Sequence, residues 1–319
     1  MRKEIKFGQM PDDVTLESAF EQFLRIKRNN NLSVNSIDYY TAVFEIFNRF
    51  FDRENLCVDV TPYIIEDYIT YLREKEPPLS SVTINTYLRG LRAMLYFFME
   101  RDYMPKFKFS LLKQDKKIKE TYTEAELRLL LKKPDIKKCV FAEYRTWVMS
   151  NYFLATGNRL ATALSLNIGD IDFKNYEITL RKVKNRRQHI IPLSSSLSKV
   201  LQEYLLYRKG SPEDLLFCNR FGEPLTKSAV TSAIRRYNLT RGVEKTSIHL
   251  YRHTFAKNWI LNGGDIFRLK SILGHSSLDI VKEYAEMFGA DLKRDFDAFN
   301  PLDNLEGLRN RGNSIRMVK

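Results

Sequence analysis

The chain has 319 residues, 44% of them hydrophobic and 13% aromatic, with a formal net charge of +13; that length favours two domains, each with an ordinary core. No apolar run reaches the ~18 residues of a membrane span, the N-terminal MRKEIKFGQMPDD has no signal-peptide core, and Cys57, Cys139 and Cys218 are too far apart for a metal site, so a reduced, cytoplasmic setting is expected. The charge is uneven: residues 1–120 hold 19 basic against 18 acidic side chains and the remainder 33 against 21, and so large a positive excess attracts a polyanion, most commonly nucleic acid.

The first hundred residues read as four helices. Leu16, Phe20, Phe23 and Leu24 recur at helical spacing. Ser33 suits an N-cap, followed by Ile37, Tyr40, Phe44, Phe47 and Phe51 on one face. Thr61-Pro62 is a cap followed by proline in the first turn, and Ile65, Ile69 and Leu72 continue that helix up to Pro77-Pro78. Ser80 or Ser81 opens the last, through Leu88, Leu91, Leu95 and Phe98. Short connections between amphipathic helices imply a bundle. Residues 101–120 carry seven basic and three acidic side chains and read as a basic linker.

Thr123 and Glu126 form a capping-box pattern that opens the second domain, with helices to about Thr156 and a stop at Gly157. YEITLRK (176–182) and QHIIPL (188–193) flank KNRR as a hairpin. Helices then resume, with starts near Thr226, Ser247, Asp265 and Ser277. The expected fold class is mainly α with a small antiparallel sheet, divided into 1–100, a linker at 101–120, 121–300, and a flexible basic tail at 301–319. Cys218, Trp147 and Trp259 are expected in the core.

The chemistry-bearing residues gather in the basic domain. His249 and Arg252 are three apart, so on a helix they share a face, pairing a proton carrier with a fork suited to phosphate oxygens. His253 adjoins the pair and is read as structural, off their face. Arg159 stands just after Gly157 at the start of a helix, Lys184 lies in the hairpin turn, His275 sits at the turn LGHSS, and Tyr284 follows nine residues later in IVKEYAEM.

TGNR with ALSLNIGDID, HLYRHTFA, and LGHSSLDIVKEYAEM, together with the order Arg…Lys…His-x-x-Arg…His…Tyr, resemble the tyrosine recombinases, or phage-type integrases. The resemblance is close over about 120–290 and looser over the N-terminal bundle, which is similar to the family's SAM-like core-binding domain. It implies that Arg159 and Arg252 hold a scissile DNA phosphate and that His275 adds a hydrogen bond. Tyr284 then attacks to form a covalent 3′-phosphotyrosyl link, Lys184 protonates the departing 5′-oxygen, and His249 helps manage the tyrosine proton. Neither metal ion nor ATP is implied, consistent with the lack of a P-loop pattern and of a carboxylate cluster at metal-ligand spacing. The family usually has Glu or Asp three residues after the first arginine; Thr162 stands here, which bears on how Arg159 is positioned.

Double-stranded DNA carrying a specific recombination site is the implied partner, gripped between the two domains by a homotetramer on two duplexes, with a monomer possible without DNA. Arg181, Lys182, Arg186, Arg187, Lys227, Arg235 and Arg236 are candidate phosphate contacts, with Asn85 and Arg89 as weaker guesses on the last N-terminal helix. ADLKRDFDAFNPL (290–302) reads as a short helix that in the family often docks on a neighbouring subunit. With the first helix starting near residue 15, a two-domain, Xer-like architecture without an arm-binding domain is expected. The implied activity is site-specific recombination, for integration or excision of a mobile element or, alternatively, for resolving chromosome or plasmid dimers. A catalytically silent DNA-binding regulator and a type IB topoisomerase-like nickase are the competing readings.

Overall fold

The computed structural model describes residues 14–113, 119–181, 189–274 and 284. The chain divides into two compact units between Lys117 and Ile118.

The first unit holds four helices: α1 (Leu16–Asn29), α2 (Val34–Asn48), α3 (Pro62–Arg73) and α4 (Ser81–Glu100). Each begins where a hydroxyl can satisfy an otherwise unpartnered amide. Thr15, Ser33, Thr61 and Ser80 each accept from the backbone N–H three residues on. The buried faces carry the expected residues: Phe20, Phe23, Phe44, Phe47, Leu88, Leu91 and Phe98 are all at most 4% exposed. Phe20 and Phe44 stack with ring centroids 3.8 Å apart. α2 and α4 approach closely at Gly90, where a Cβ would lie 2.9 Å from both Tyr39 Oη and Val43 Cγ2.

This unit extends beyond residue 100. Met104 is buried in its core, and Phe107, Phe109, Leu111 and Leu112 pack on it. The Asn85 side chain, 1% exposed, grips the same stretch, its amide donating to Leu112 O at 2.9 Å and its carbonyl accepting from Leu112 N at 2.8 Å. The expected linker is thus largely part of the bundle. Its basic composition hid the Phe107, Phe109, Leu111 and Leu112 side chains that fasten it.

The second unit is organised around α6 (Phe141–Thr156). Trp147, Val148, Met149, Tyr152 and Phe153 are all buried, so α6 is enclosed on most sides. Against it pack α5 (Glu124–Leu131), α8 (Ser195–Arg208), α9 (Lys227–Thr240) and α10 (Ile248–Leu261). The short helix α7 (Leu160–Ala163) follows α6, and α11 (Ile266–Leu273) packs on α10. The capping box at Thr123 and Glu126 forms as expected.

The sheet has three antiparallel strands in the order β1 (Ile171–Asp172), β2 (Glu177–Leu180), β3 (His189–Pro192). The hairpin pairs Leu180 with His189 and Glu177 with Pro192. The two-residue β1 was not expected, being too short to show periodicity. α9, α10 and α11 start after Thr226, Ser247 and Asp265 as expected, with side-chain caps from Thr226 and Asp265 and none from Ser247. Trp147 and Cys218 are core residues, whereas Trp259 is only half-buried. Ser277, the 290–302 helix and the 301–319 tail lie outside the described residues. Among the described residues no helix is long and apolar enough to cross a membrane.

Candidate active site

Three chain segments meet at the candidate site: the turn after α6, the first two turns of α10, and the end of α11. Gly157 makes the first possible. It ends α6 at φ +62°, a left-handed conformation that glycine adopts without steric cost. A Cβ there would sit 2.6 Å from Leu273 Cδ2 and 2.7 Å from Phe255 Cδ1. Asn158 follows, buried, its amide donating to Tyr152 Oη at 2.7 Å. The turn therefore delivers Arg159, half-buried, to the N-cap of α7.

Arg252 is 5% exposed, and its guanidinium is braced by main-chain carbonyls on both sides. Nη1 donates to Gly157 O at 2.7 Å and Nη2 to Leu273 O at 3.0 Å. Burial, reinforced by the nearby Arg159 charge, lowers its pKa to about 10, so it stays cationic at neutral pH. Two adjacent arginines, one rigidly held, make a site prepared for an anion.

His249 lies one turn before Arg252 and is exposed. With Arg159, Asn158, Thr231, Arg235 and Ser247 it lines a cavity of about 490 Å³. At the usual acid position, Thr162 is 8% exposed, and its carbonyl accepts from Ser165 Oγ at 2.9 Å.

Tyr284 is 2% exposed and packs in a cluster with Ala256, Leu269 and Leu273. Its hydroxyl is 2.5 Å from His253 Nδ1, and Lys119 Nζ lies 4.5 Å from its ring centroid. Tyr284 is also close enough to Arg252 to interact with it electrostatically. The structure thus brings Arg159, His249, Arg252 and Tyr284 into one neighbourhood. Lys184 and His275 lie outside the described residues.

His253 and Lys119 are the residues that sequence reasoning missed. His253 was assigned off the His249–Arg252 face, yet it is four residues from His249, and that spacing places both on one stripe of α10. Lys119 had no local signal. It is carried in by its neighbours, because Tyr122 N donates to Thr254 Oγ1 at 2.8 Å and Lys245 Nζ to Thr121 O at 3.0 Å.

The candidate DNA contacts divide. Arg235 is exposed and lines the cavity with Arg159 and His249. Arg236, next in sequence, turns instead to a groove with Val140, Glu143 and Thr146. Lys227 is exposed at the start of α9, two helical turns before Arg235. Arg181 is ion-paired through Nε to the buried Asp170 at 2.5 Å, with its side chain 60% exposed. Arg89 is exposed on α4. Asn85 is corrected: both its polar atoms serve Leu112, and it is a buried clamp rather than a presented contact. Helical spacing alone could not separate those uses. Lys182, Arg186 and Arg187 lie outside the described residues.

Comparison with known proteins gives the family of both units. Residues 120–289 match the phage integrase family and residues 15–118 the phage integrase SAM-like domain. The chain is 24% identical to tyrosine recombinase XerD of Staphylococcus aureus over 300 residues, covering 90% of this chain and 99% of that protein. It is 25% identical to XerD of Oceanobacillus iheyensis over the same shares. The Tn1549 transposon integrase in complex with circular intermediate DNA shares the fold, with a TM-score of 0.69 and 22% identity over 85% of this chain and 95% of that one. So does XerH site-specific recombinase bound to its difH substrate, with a TM-score of 0.65 and 21% identity over 90% of this chain and 85% of that one. The chain belongs to the phage integrase family, the family of the tyrosine-type site-specific DNA recombinases.

Proposed function

We propose that the chain cleaves and rejoins DNA at a specific site through a covalent 3′-phosphotyrosyl intermediate, and that its role is integration or excision of a mobile element. The observation that carries the chemistry is the phenol of Tyr284 in contact with His253, the residue that follows the braced cation Arg252, which feels the charge of Arg159. Arg252 and Arg159 take the non-bridging oxygens of the scissile phosphate, where negative charge grows as the fifth bond forms. Donors already fixed there need no reorganisation at the moment of reaction. The Tyr284 oxygen bonds to phosphorus as the P–O5′ bond breaks, and the 5′-oxygen takes a proton from Lys184. His249 helps manage the phenol proton, and His275 adds a hydrogen bond to the phosphate. Because the new ester conserves the energy of the old bond, a 5′-hydroxyl from another duplex can reverse the step without ATP, which makes strand exchange possible.

The DNA partner is supported by solved relatives that hold DNA: the Tn1549 integrase with circular intermediate DNA, XerH with difH and lambda integrase with a core site. A transposon integrase among them favours the mobile-element role. Resolution of DNA dimers by the same chemistry is the second reading, favoured by the similarity to XerD over nearly the whole chain. Strand exchange between two duplexes calls for a tetramer.

The test uses the full chain and a nicked duplex selected from a random-sequence pool by the wild-type protein. Wild type should form a covalent adduct and join strands of two different duplexes, while Tyr284→Phe binds the DNA and forms no adduct. Binding without adduct by wild type would instead make the chain a silent regulator, and adduct without joined duplexes a nickase. Joining of direct repeats flanking a mobile element supports the first role, and exclusive action on dimeric replicons the second.

A further inference from the structure

We propose that His253 is a positioning residue for the nucleophile: its Nδ1 accepts the hydrogen bond of the Tyr284 hydroxyl and so fixes where the attacking oxygen sits relative to Arg252. The inference rests on the recombinase reading above and assigns a further side chain to that reaction.

The contact itself is short, 2.5 Å between Nδ1 and the phenolic oxygen, with ring centroids 5.7 Å apart and planes at 48°. Its direction follows from the charges around the imidazole. Burial, then Lys119, His249 and Arg252, push the His253 pKa from 6.5 down to about 4. Near neutral pH the ring is therefore uncharged, with one nitrogen protonated and the other bearing a lone pair. A phenol keeps its proton at that pH, so Tyr284 donates and Nδ1 accepts, which puts the ring hydrogen on Nε2.

The surroundings hold both partners of this bond. His253 is anchored on α10 directly after Arg252, whose guanidinium is itself pinned to Gly157 O and Leu273 O. The Tyr284 ring rests on Ala256, Leu269 and Leu273, which form the neighbouring surface of α10 and α11. Lys119 Nζ, 4.5 Å from the ring centroid, adds a cation to the ring. With the ring seated, one further contact is enough to set the direction of the C–O bond, and His253 makes it. Phosphate-holding and nucleophile-holding side chains thus share one stripe of α10, at positions 249, 252 and 253.

The test compares wild type, His253→Leu and His253→Asn in full-length protein. Asparagine places an acceptor near the position of Nδ1; leucine has none. Expected for His253→Leu is a fall of about 100-fold in the first-order rate of adduct formation at saturating nicked duplex, the usual effect of an oxygen displaced by about 1 Å. The half-saturating DNA concentration should be unchanged, and His253→Asn should recover at least about a tenth of the wild-type rate. A 5′-bridging phosphorothiolate, whose sulfur leaves without a proton, should not rescue His253→Leu, since the defect lies at the attacking end. In DNA-free protein carrying 3-fluorotyrosine at position 284, the fluorine resonance should move with His253→Leu and move less with His253→Asn.

A His253→Leu rate within twofold of wild type overturns the inference. So does rescue by the phosphorothiolate, which would assign His253 to the leaving group, and so does a fluorine resonance indifferent to both substitutions. If wild type forms no adduct at all, the recombinase reading fails instead, and the fluorine spectrum still decides whether the hydrogen bond exists.

Discussion

Replacing Gly157 by alanine should unfold the second unit well below the wild-type temperature. Two costs follow from the structure. The residue is at φ +62°, where an L-side chain costs about 1–2 kcal/mol. The added methyl would sit 2.6 Å from Leu273 Cδ2 and 2.7 Å from Phe255 Cδ1, and overpacking of that kind adds about 1–3 kcal/mol. The stiffer unfolded chain returns about 0.4–1 kcal/mol of this to the variant. The net loss is about 1–5 kcal/mol, or about 2–20 °C for a unit of this size. Tryptophan fluorescence isolates the effect, since Trp147 and Trp259 are the chain's two tryptophans and both belong to the second unit. Adduct formation should fall as well, because Gly157 O is one of the two carbonyls bracing Arg252. A midpoint within about 1 °C of wild type would refute the argument, since even the smallest of these penalties predicts more.

Three other outcomes are expected. Arg235→Ala should weaken DNA binding and lower the slope of log affinity against log salt by about one, whereas Arg236→Ala, facing the other groove, should change neither in a salt titration. Asn85→Ala should leave both Leu112 backbone groups without that partner and cost about 1–3 kcal/mol, read as faster amide hydrogen exchange at Leu112. His253, with a folded pKa of about 4 against an ordinary 6.5, is protonated first in the unfolded chain, so stability should be lost as pH falls through that interval, and His253→Leu should flatten this limb in denaturation curves taken from pH 7 to pH 4.

Helix starts were legible where a side-chain oxygen caps a backbone amide three residues on, as at Ser33, Thr61 and Thr123, whereas Val140 before α6 makes no such cap and left no local signal. The hairpin was legible from alternation at 177–180 and 189–192. At the site, the identity of Arg159, His249, Arg252 and Tyr284 could be read from motif order, but their mutual arrangement could not. Arg252 is oriented by carbonyls at 157 and 273, which belong to backbone and carry no side-chain signature. Asn85 looked like any polar residue on a helix, and only its pairing with Leu112, 27 positions away, shows its use. Lys119 meets Tyr284 across a still longer separation.

Because peptide oxygens grip Arg252, its pose is indifferent to which side chain occupies position 273 so long as the local path of the chain is kept. Mutational scans at that position would therefore read the Leu273 side chain, which packs against Tyr284, and not the oxygen that holds Arg252. An amide-to-ester exchange, which weakens the carbonyl as an acceptor without touching any side chain, is the kind of chemical edit that would expose it. One residue of α11 thus serves the site twice, its oxygen holding the guanidinium and its side chain seating the Tyr284 ring.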